Sequence, residues 1–155
     1  MHREISVPVP PDRAFALFAE LDGWWPREYT WSGSALQLIA IEPRVGGACF
    51  ERGPFGFECD WGRVLVWDPP RRLALTWQIA FDRTPQPDPA RASEVEVRFV
   101  SEGNGTRVTL IHRLFSRHGE RALDYREGMA SPAGWTRMLD RYAAIVERSV
   151  RSARA

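Results

Sequence analysis

The chain contains no lysine, and all 21 of its basic side chains are arginines. Schiff-base catalysis, a pyridoxal-phosphate anchor and a Walker-type phosphate loop each need a lysine amine, so the sequence excludes all three. The arginines are balanced by 20 acidic residues, which leaves a formal net charge of +1 at pH 7. A chain this close to neutral has no overall field to attract nucleic acid or anionic lipid, and we expect neither as a partner.

Long apolar runs are missing as well. No stretch approaches the ~18 consecutive apolar residues that a membrane-spanning helix needs, so we expect no membrane insertion. The segment Met1–Ile5 carries an acidic residue, and prolines follow where a secretory signal would have its apolar run. A cytoplasmic location is therefore expected.

Cysteine is scarce, with two residues in the chain, Cys49 and Cys59. Two thiols cannot complete a four-ligand structural zinc site, and we expect neither a metal nor another cofactor. The two lie symmetrically about Gly53-Pro54-Phe55, which predicts a hairpin turn and would place them opposite each other on paired strands. Thiols stay reduced in the cytoplasm, so we interpret both as small buried packing residues.

Apolar residues are plentiful, at 44% of 155 residues, which is enough for one domain over residues 1–155 with a core of its own. Between about residues 36 and 114, apolar and polar side chains alternate in short runs separated by glycine and proline, which predicts about six strands. A similar run at Ile5–Val9 predicts another strand at the start of the chain.

Two segments have helical features instead. Pro10-Pro11-Asp12 predicts the start of a short helix, because proline is tolerated in a first turn and aspartate is favourable there. After a predicted N-cap at Ser131, apolar side chains recur at three- and four-residue steps, which predicts a helix from about Pro132 to Val150. This order of elements favours an α+β fold in which one curved antiparallel sheet wraps around the long C-terminal helix.

A strongly curved sheet that does not close tightly on a helix leaves a cavity, where we predict that a small hydrophobic or aromatic molecule binds. The seven tryptophans would offer apolar and π surface in such a cavity, although tryptophan also simply fills cores. The residues predicted to contact the ligand are Trp25, Phe50, Trp77, Val97, Phe99, Leu110, His112, Trp135, Met138, Leu139 and Tyr142.

One polar residue, His112, lies on the face of the last predicted strand that is expected to point into the core. His112 alternates in step with Val108, Leu110 and Leu114, where an imidazole serves as acid, base or ligand anchor, or as a hydrogen-bonded core residue. His118 follows in a predicted loop, at a spacing that is not typical of a metal-binding pair.

Three carboxylates cluster on the predicted hairpin: Glu51, Glu58 and Asp60. Paired carboxylates can do acid–base chemistry when they face a dry cavity. In the second strand of this hairpin, the side chains on both faces are apolar. The sequence therefore leaves open which face of residues 48–52 and 57–67 points inward. We expect solvated side chains, or ion pairs with Arg52 and Arg63, rather than catalysis, and we assign no catalytic residue.

Short stretches along nearly the whole chain resemble a known family. The stretches are Trp24-Trp25-Pro26, Gly46-Gly47, Asp60–Leu65, Trp67–Leu73, Thr76-Trp77, Gly105–Val108 and Gly134-Trp135. In this order they resemble the group named after the activator of the heat-shock chaperone ATPase, within the SRPBCC superfamily of START and birch-pollen-allergen-like proteins. The resemblance implies a helix-grip fold with a cavity between sheet and C-terminal helix, used elsewhere for lipids, polyketides, hormones or protein contacts. It brings no shared catalytic motif.

Three functions stay open at this point. The first is binding of a small hydrophobic or aromatic ligand, and the second is a cyclase- or hydrolase-like enzyme that uses His112 with a carboxylate. The third is a co-chaperone-like domain with a protein partner, which predicts a filled core and an exposed apolar patch around Phe55 and Phe57. Residues 116–130 are either a mobile lid or a packed helix.

Overall fold

The computed structural model describes residues 1–154, in which seven strands form one antiparallel sheet. The strands are β1 (His2–Val7), β2 (Leu38–Ile41), β3 (Ala48–Arg52), β4 (Glu58–Asp68), β5 (Arg72–Trp77), β6 (Ser93–Glu102) and β7 (Gly105–Arg113). Their order across the sheet is β1-β7-β6-β5-β4-β3-β2, so β1 closes one edge against β7. The sheet curls into a half-barrel around the C-terminal helix, which confirms the predicted α+β helix-grip fold.

The α-helices are α1 (Pro11–Ala19), α2 (Ala122–Ala130) and α3 (Arg137–Arg154). Helix α1 begins at the predicted prolines and buries Ala14, Phe15 and Phe18 against the sheet. Helix α3 buries an apolar stripe on the same concave face, and the hydroxyl of Tyr142 donates to the Ala14 carbonyl oxygen at 2.7 Å. Within residues 1–154, no helix is long and apolar enough to cross a bilayer.

The start of the C-terminal helix differs from the prediction. Residues Pro132–Thr136 form a wide turn, and the regular α-helix begins only at Arg137. The backbone of Gly134 is non-helical (φ −90°, ψ −130°), which interrupts the regular pattern of helical hydrogen bonds. Ser131 precedes the turn but does not cap it, because its hydroxyl donates to the Gly128 carbonyl oxygen at 2.6 Å.

We expect Gly134→Ala to lower the free energy of unfolding by at least about 1 kcal/mol. An added Cβ would lie 2.2 Å from the Met129 carbonyl oxygen and 2.7 Å from that of Gly128, so the corner between α2 and α3 would have to move. Urea unfolding measures the change. Gly128→Ala is the matched control, because a Cβ there meets nothing within 4 Å and alanine favours a helix. If the two variants are equally stable, a Cβ at residue 134 is not crowded by the carbonyl oxygens of α2.

The β3–β4 hairpin has a different register from the one that the symmetry of the cysteines predicts. Glu51 pairs with Cys59, and beyond a bulge Cys49 pairs with Gly62. The prediction that the cysteines lie opposite each other is therefore wrong, because the turn is centred one residue later and the bulge inserts a further residue. Both thiols are free; Cys49 is buried as expected, whereas Cys59 is only half-buried.

Candidate functional site

One end of the space between the sheet and α3 holds a cavity of about 440 Å³. Its walls come from the loop after α1, the end of β5 with its following loop, helix α2 and the turn before α3. The lining residues are Trp25, Tyr29, Thr30, Trp31, Trp77, Ile79, Ala80, Phe81, Arg83, Tyr125, Gly128, Met129, Ser131, Ala133, Gly134 and Met138. A concave site of this volume, lined mainly by apolar and aromatic side chains, suits a small organic ligand.

Deeper in the fold, the interface between the sheet and the helices is filled. The void there measures about 10 Å³ and lies among Phe18, Trp61, Leu73 and Trp135. A space of that size holds at most about one water molecule. The room for a ligand is therefore at the N-terminal end of α3, beside the position where Trp135 enters the core.

The residues predicted to bind a ligand separate into groups. Three line the 440 Å³ cavity: Trp25, Trp77 and Met138. Two border only the small void: Val97 and Trp135. Five are buried in the core away from the cavity lining: Phe99, Leu110, His112, Leu139 and Tyr142. Phe50 lies half-buried on the other face of β3 from Glu51, with the Arg52 guanidinium 5.1 Å from its ring centroid. Direct ligand contact stays a prediction for all of them.

Sequence reasoning missed the cavity residues that lie on loops. These are Tyr29, Trp31, Phe81 and Arg83. Their segments lack the periodic apolar pattern of a strand or a helix, so the pattern does not predict where their side chains point. The available signal was the presence of large aromatic residues in otherwise polar loops. Residues 122–130 form helix α2, which buries Tyr125 and supplies a wall of the cavity, and the lid alternative for residues 116–130 stays a prediction.

Tyr125 joins that helix to the sheet. The indole N–H of Trp77 donates to the Tyr125 hydroxyl at 2.8 Å, and the hydroxyl donates to the Ile79 carbonyl oxygen at 2.7 Å. Burial raises the pKa of Tyr125 to about 12, so the phenol stays neutral at physiological pH. The pairing holds α2 against the end of β5 and leaves the hydroxyl without a spare proton for a ligand.

His112 takes part in a hydrogen-bonded chain behind the cavity wall. The Trp135 indole N–H donates to His112 Nδ1 at 3.0 Å, so the neutral imidazole carries its proton on Nε2 and donates it to Ser93 Oγ at 2.8 Å. The Ser93 hydroxyl in turn donates to His118 Nε2 at 2.8 Å. Burial lowers the pKa of His112 well below its usual value and also lowers the pKa of His118. Both nitrogens of His112 are thus engaged within the protein.

The hairpin carboxylates have different roles. Glu58 and Asp60 form the expected ion pairs, with Arg52 at 3.2 Å and Arg63 at 2.8 Å. For Glu51 the expectation is wrong, because its side chain is buried and accepts hydrogen bonds from the loop that carries Trp31. The donors are Trp31 N at 3.2 Å, Ser32 N at 2.8 Å and Ser32 Oγ at 2.7 Å. Glu51 therefore positions a wall of the cavity rather than facing solvent.

Neither a His112–carboxylate pair nor a metal centre occurs in the described part of the chain. Over residues 1–154, His112 has no carboxylate among its hydrogen-bond partners. In the same residues, no three His, Cys, Asp or Glu side chains are grouped so as to hold a metal ion. The arrangement can enclose and orient a small aromatic molecule.

Comparisons with known proteins match this architecture. The family model described as "Activator of Hsp90 ATPase homolog 1-like protein" matches residues 8–147. The chain is similar to the structure of an anthrahydroquino-gamma-pyrone synthase complexed with SUM, with 37% identity, a TM-score of 0.66 and coverage of 94% of this chain and 95% of that one. No curated protein sequence matches the chain significantly.

Two more distant structures show the fold alone. CalC, a self-sacrificing resistance protein from Micromonospora echinospora, is 23% identical, with a TM-score of 0.68 and coverage of 96% of this chain and 94% of CalC. A protein from Nitrosomonas europaea is 17% identical, with a TM-score of 0.65 and coverage of 97% of this chain and 96% of that one. The fold is thus shared by proteins of unlike sequence.

Proposed function

Because the chain belongs to the family of Activator of Hsp90 ATPase homolog 1-like proteins, within the SRPBCC superfamily, we propose that it binds a small hydrophobic or aromatic molecule in the 440 Å³ cavity. The observation that carries the proposal is the aromatic lining of this cavity: Trp25, Tyr29, Trp77, Phe81 and Tyr125. Burying 100–200 Å² of apolar ligand surface contributes roughly 2.5–5 kcal/mol before the entropy losses of binding. We expect affinities in the micromolar range or weaker for a purely apolar ligand.

The proposal includes two further points. We propose that residues 1–155 act as one domain, since the strands join one sheet around one core. We also propose a cytoplasmic location, with which the two free thiols are compatible.

A second candidate is a cyclase-like enzyme that works in the same cavity. It is supported by the 37% identity to a protein described as an anthrahydroquino-gamma-pyrone synthase. In such an enzyme the cavity walls would bind a polycyclic aromatic substrate and hold it in the conformation that reacts. His112 is a poor acid–base group for this chemistry, because it lies outside the cavity lining and Trp135 and Ser93 engage both of its nitrogens.

The protein-docking alternative has weaker support. Its expected apolar surface is present in part, since Phe55 is fully exposed at the hairpin tip and Phe57 is 40% exposed. Its expected closed interior does not agree with a cavity of about 440 Å³. Ligand binding therefore stays the first proposal.

Filling the cavity tests the binding proposal. We expect Ala133→Trp to raise the Kd for 2-naphthol, a neutral aromatic probe, at least about tenfold, because the new indole occupies the space of the ligand. Isothermal titration calorimetry measures the affinity. Ala90→Trp is the control, because Ala90 is exposed on a turn outside the cavity lining and its replacement should leave the Kd unchanged. Failure of the unmodified protein to bind, or equal binding by the Ala133→Trp variant, would overturn the proposal.

A further inference from the structure

Charge is confined to one point of the cavity wall. Arg83 is the only ionisable cation or carboxylate among the residues that line it. The residue lies in the loop after β5 with a left-handed backbone (φ 68°). Its N–H donates to the Ala80 carbonyl oxygen at 2.9 Å, and its own carbonyl oxygen accepts from the Trp31 indole at 2.7 Å. These two bonds hold the Arg83 backbone at the rim of the cavity.

The guanidinium of Arg83 has no acidic partner. Over residues 1–154, no carboxylate oxygen lies within 4.0 Å of it and it donates no hydrogen bond. The adjacent Asp82 turns away, accepting from the Thr84 N–H at 3.1 Å and the Thr84 hydroxyl at 2.7 Å. Other arginines near the cavity are paired, Arg137 with Glu28 and Arg121 with Asp124. Arg83 is thus the one arginine of the cavity lining, and over residues 1–154 its guanidinium donors have no partner.

One contact of the exposed Arg83 side chain places its charge beside an aromatic ring of the cavity lining. The guanidinium carbon lies 5.5 Å from the centroid of the Tyr29 ring, which is part of the lining. Burial raises the pKa of Tyr125, and the Arg83 charge opposes that rise. The contact with Tyr29 therefore places the guanidinium beside the cavity lining.

The hydroxyl groups of the wall cannot replace Arg83 as donors. Each one already donates its proton to a backbone carbonyl oxygen: Tyr125 to Ile79, Tyr29 to Ala133, Thr30 to Arg27 and Ser131 to Gly128. Arg137 and Arg121 also lie over lining rings, but each is already paired with a carboxylate. A ligand with an anionic group would therefore find an unpaired positive charge at Arg83, where the planar guanidinium can bind a carboxylate through two parallel hydrogen bonds.

We propose that Arg83 makes the cavity selective for aromatic ligands that carry an anionic group, such as an aryl carboxylate or an acidic phenolate. This inference rests on the proposed binding function, and it names the chemical class of the ligand. The aromatic walls bind the ring system, and the guanidinium at the rim binds the anion where it stays partly solvated.

Two probes of matched shape test the inference: 2-naphthoate and neutral 2-naphthalenemethanol, titrated calorimetrically at pH 7.5. We expect the unmodified protein to bind the carboxylate roughly tenfold more tightly than the alcohol, as for a hydrogen bond between charged groups. Arg83→Gln should remove most of this preference, because it lowers the affinity for the carboxylate far more than the affinity for the alcohol. Arg91→Gln is the control, because Arg91 is an exposed arginine outside the cavity lining, and the preference should survive.

The two ways of failing are distinct. If both probes bind and the preference is absent, or is the same in Arg83→Gln, the role of Arg83 is overturned while ligand binding stands. If neither probe binds the unmodified protein, the binding function itself fails, and the inference fails with it.

Discussion

Replacing Glu96 with alanine is expected to lower the free energy of unfolding by about 3 kcal/mol, the largest change expected of any substitution discussed here. The side chain is 1% exposed on the outer face of the sheet and accepts from Arg72 Nε at 3.0 Å and Arg113 Nη1 at 2.8 Å, and also from Arg98. Burial opposes ionisation of this carboxyl, but the hydrogen bonds from Arg98 and Arg113 outweigh it, so the pKa of Glu96 is lowered. The one negative charge of this carboxylate is shared among three guanidinium groups, of which Arg72 projects from β5, Arg98 from β6 itself and Arg113 from β7.

Removal of Glu96 would leave Arg72 and Arg98 without a carboxylate acceptor and Arg113 with its longer contact to Glu94 at 3.4 Å alone. The expected loss in free energy of unfolding is at the lower end of the range for removing one partner of a buried ion pair. The reason is that the arginine side chains are 39–53% exposed and keep part of their hydration. Urea unfolding at pH 7.5 measures the loss. Asp68→Ala is the control, since Asp68 is exposed and pairs with Arg71 alone, and its loss should change the midpoint little. Equal midpoints for the two variants would show that the Glu96 network does not stabilise the sheet.

Acidification from pH 7.5 to 5 is expected to lower the free energy of unfolding by up to about 2 kcal/mol through His112 alone. Burial holds the folded-state pKa of His112 well below 6.5, whereas the unfolded chain takes up the proton near that value. Below about pH 6.5 the unfolded state therefore binds more protons, and stability falls by about 1.4 kcal/mol per pH unit until the folded-state pKa is reached. His118, whose pKa burial also lowers, adds to the loss in the same direction.

The measurement is urea unfolding at several pH values between 5 and 7.5, for the unmodified protein and for His112→Gln. The glutamine amide can accept one hydrogen bond and donate another, so we expect a less stable protein at pH 7.5 with a much smaller dependence on pH. His2→Gln is the matched control, because His2 is exposed at the start of β1, and this variant should keep the full pH dependence. If the stability of His112→Gln still falls steeply with decreasing pH, His112 is not the cause of the pH dependence.

These two predictions concern groups that support the cavity from opposite sides of the sheet. Glu96 holds β5, β6 and β7 together from the outer face, whereas His112 braces Trp135 from the inner face. Neither residue lines the cavity. Their replacement therefore tests the scaffold, whereas Ala133→Trp and Arg83→Gln test the ligand site itself.

The order of the elements along the chain and the inward position of His112 follow from the sequence. Alternation along β7 is a local property, because successive side chains of a strand point to opposite faces whatever the strand pairs with. The C-terminal helix has the same local basis in its apolar stripe, although its regular part begins at Arg137 rather than at Pro132. The non-helical backbone of Gly134, which moves that start, depends on the close approach of α2.

What the sequence by itself determined is the family, the helix-grip architecture and the inward face of β6, of β7 as far as His112 and of the C-terminal helix, because these depend on short-range periodicity and on motifs in a certain order. The tertiary structure decided that Glu51 on β3 is buried and that Leu114 is 40% exposed. The tertiary structure alone decided where the cavity lies, how Cys49 and Cys59 are offset, and that Ser93 joins His112 to His118. Each of these results depends on how loops and bulges bring distant residues together, and such contacts have no period in the chain. The site of a protein of this kind is built at the ends of its regular elements, where local patterns stop.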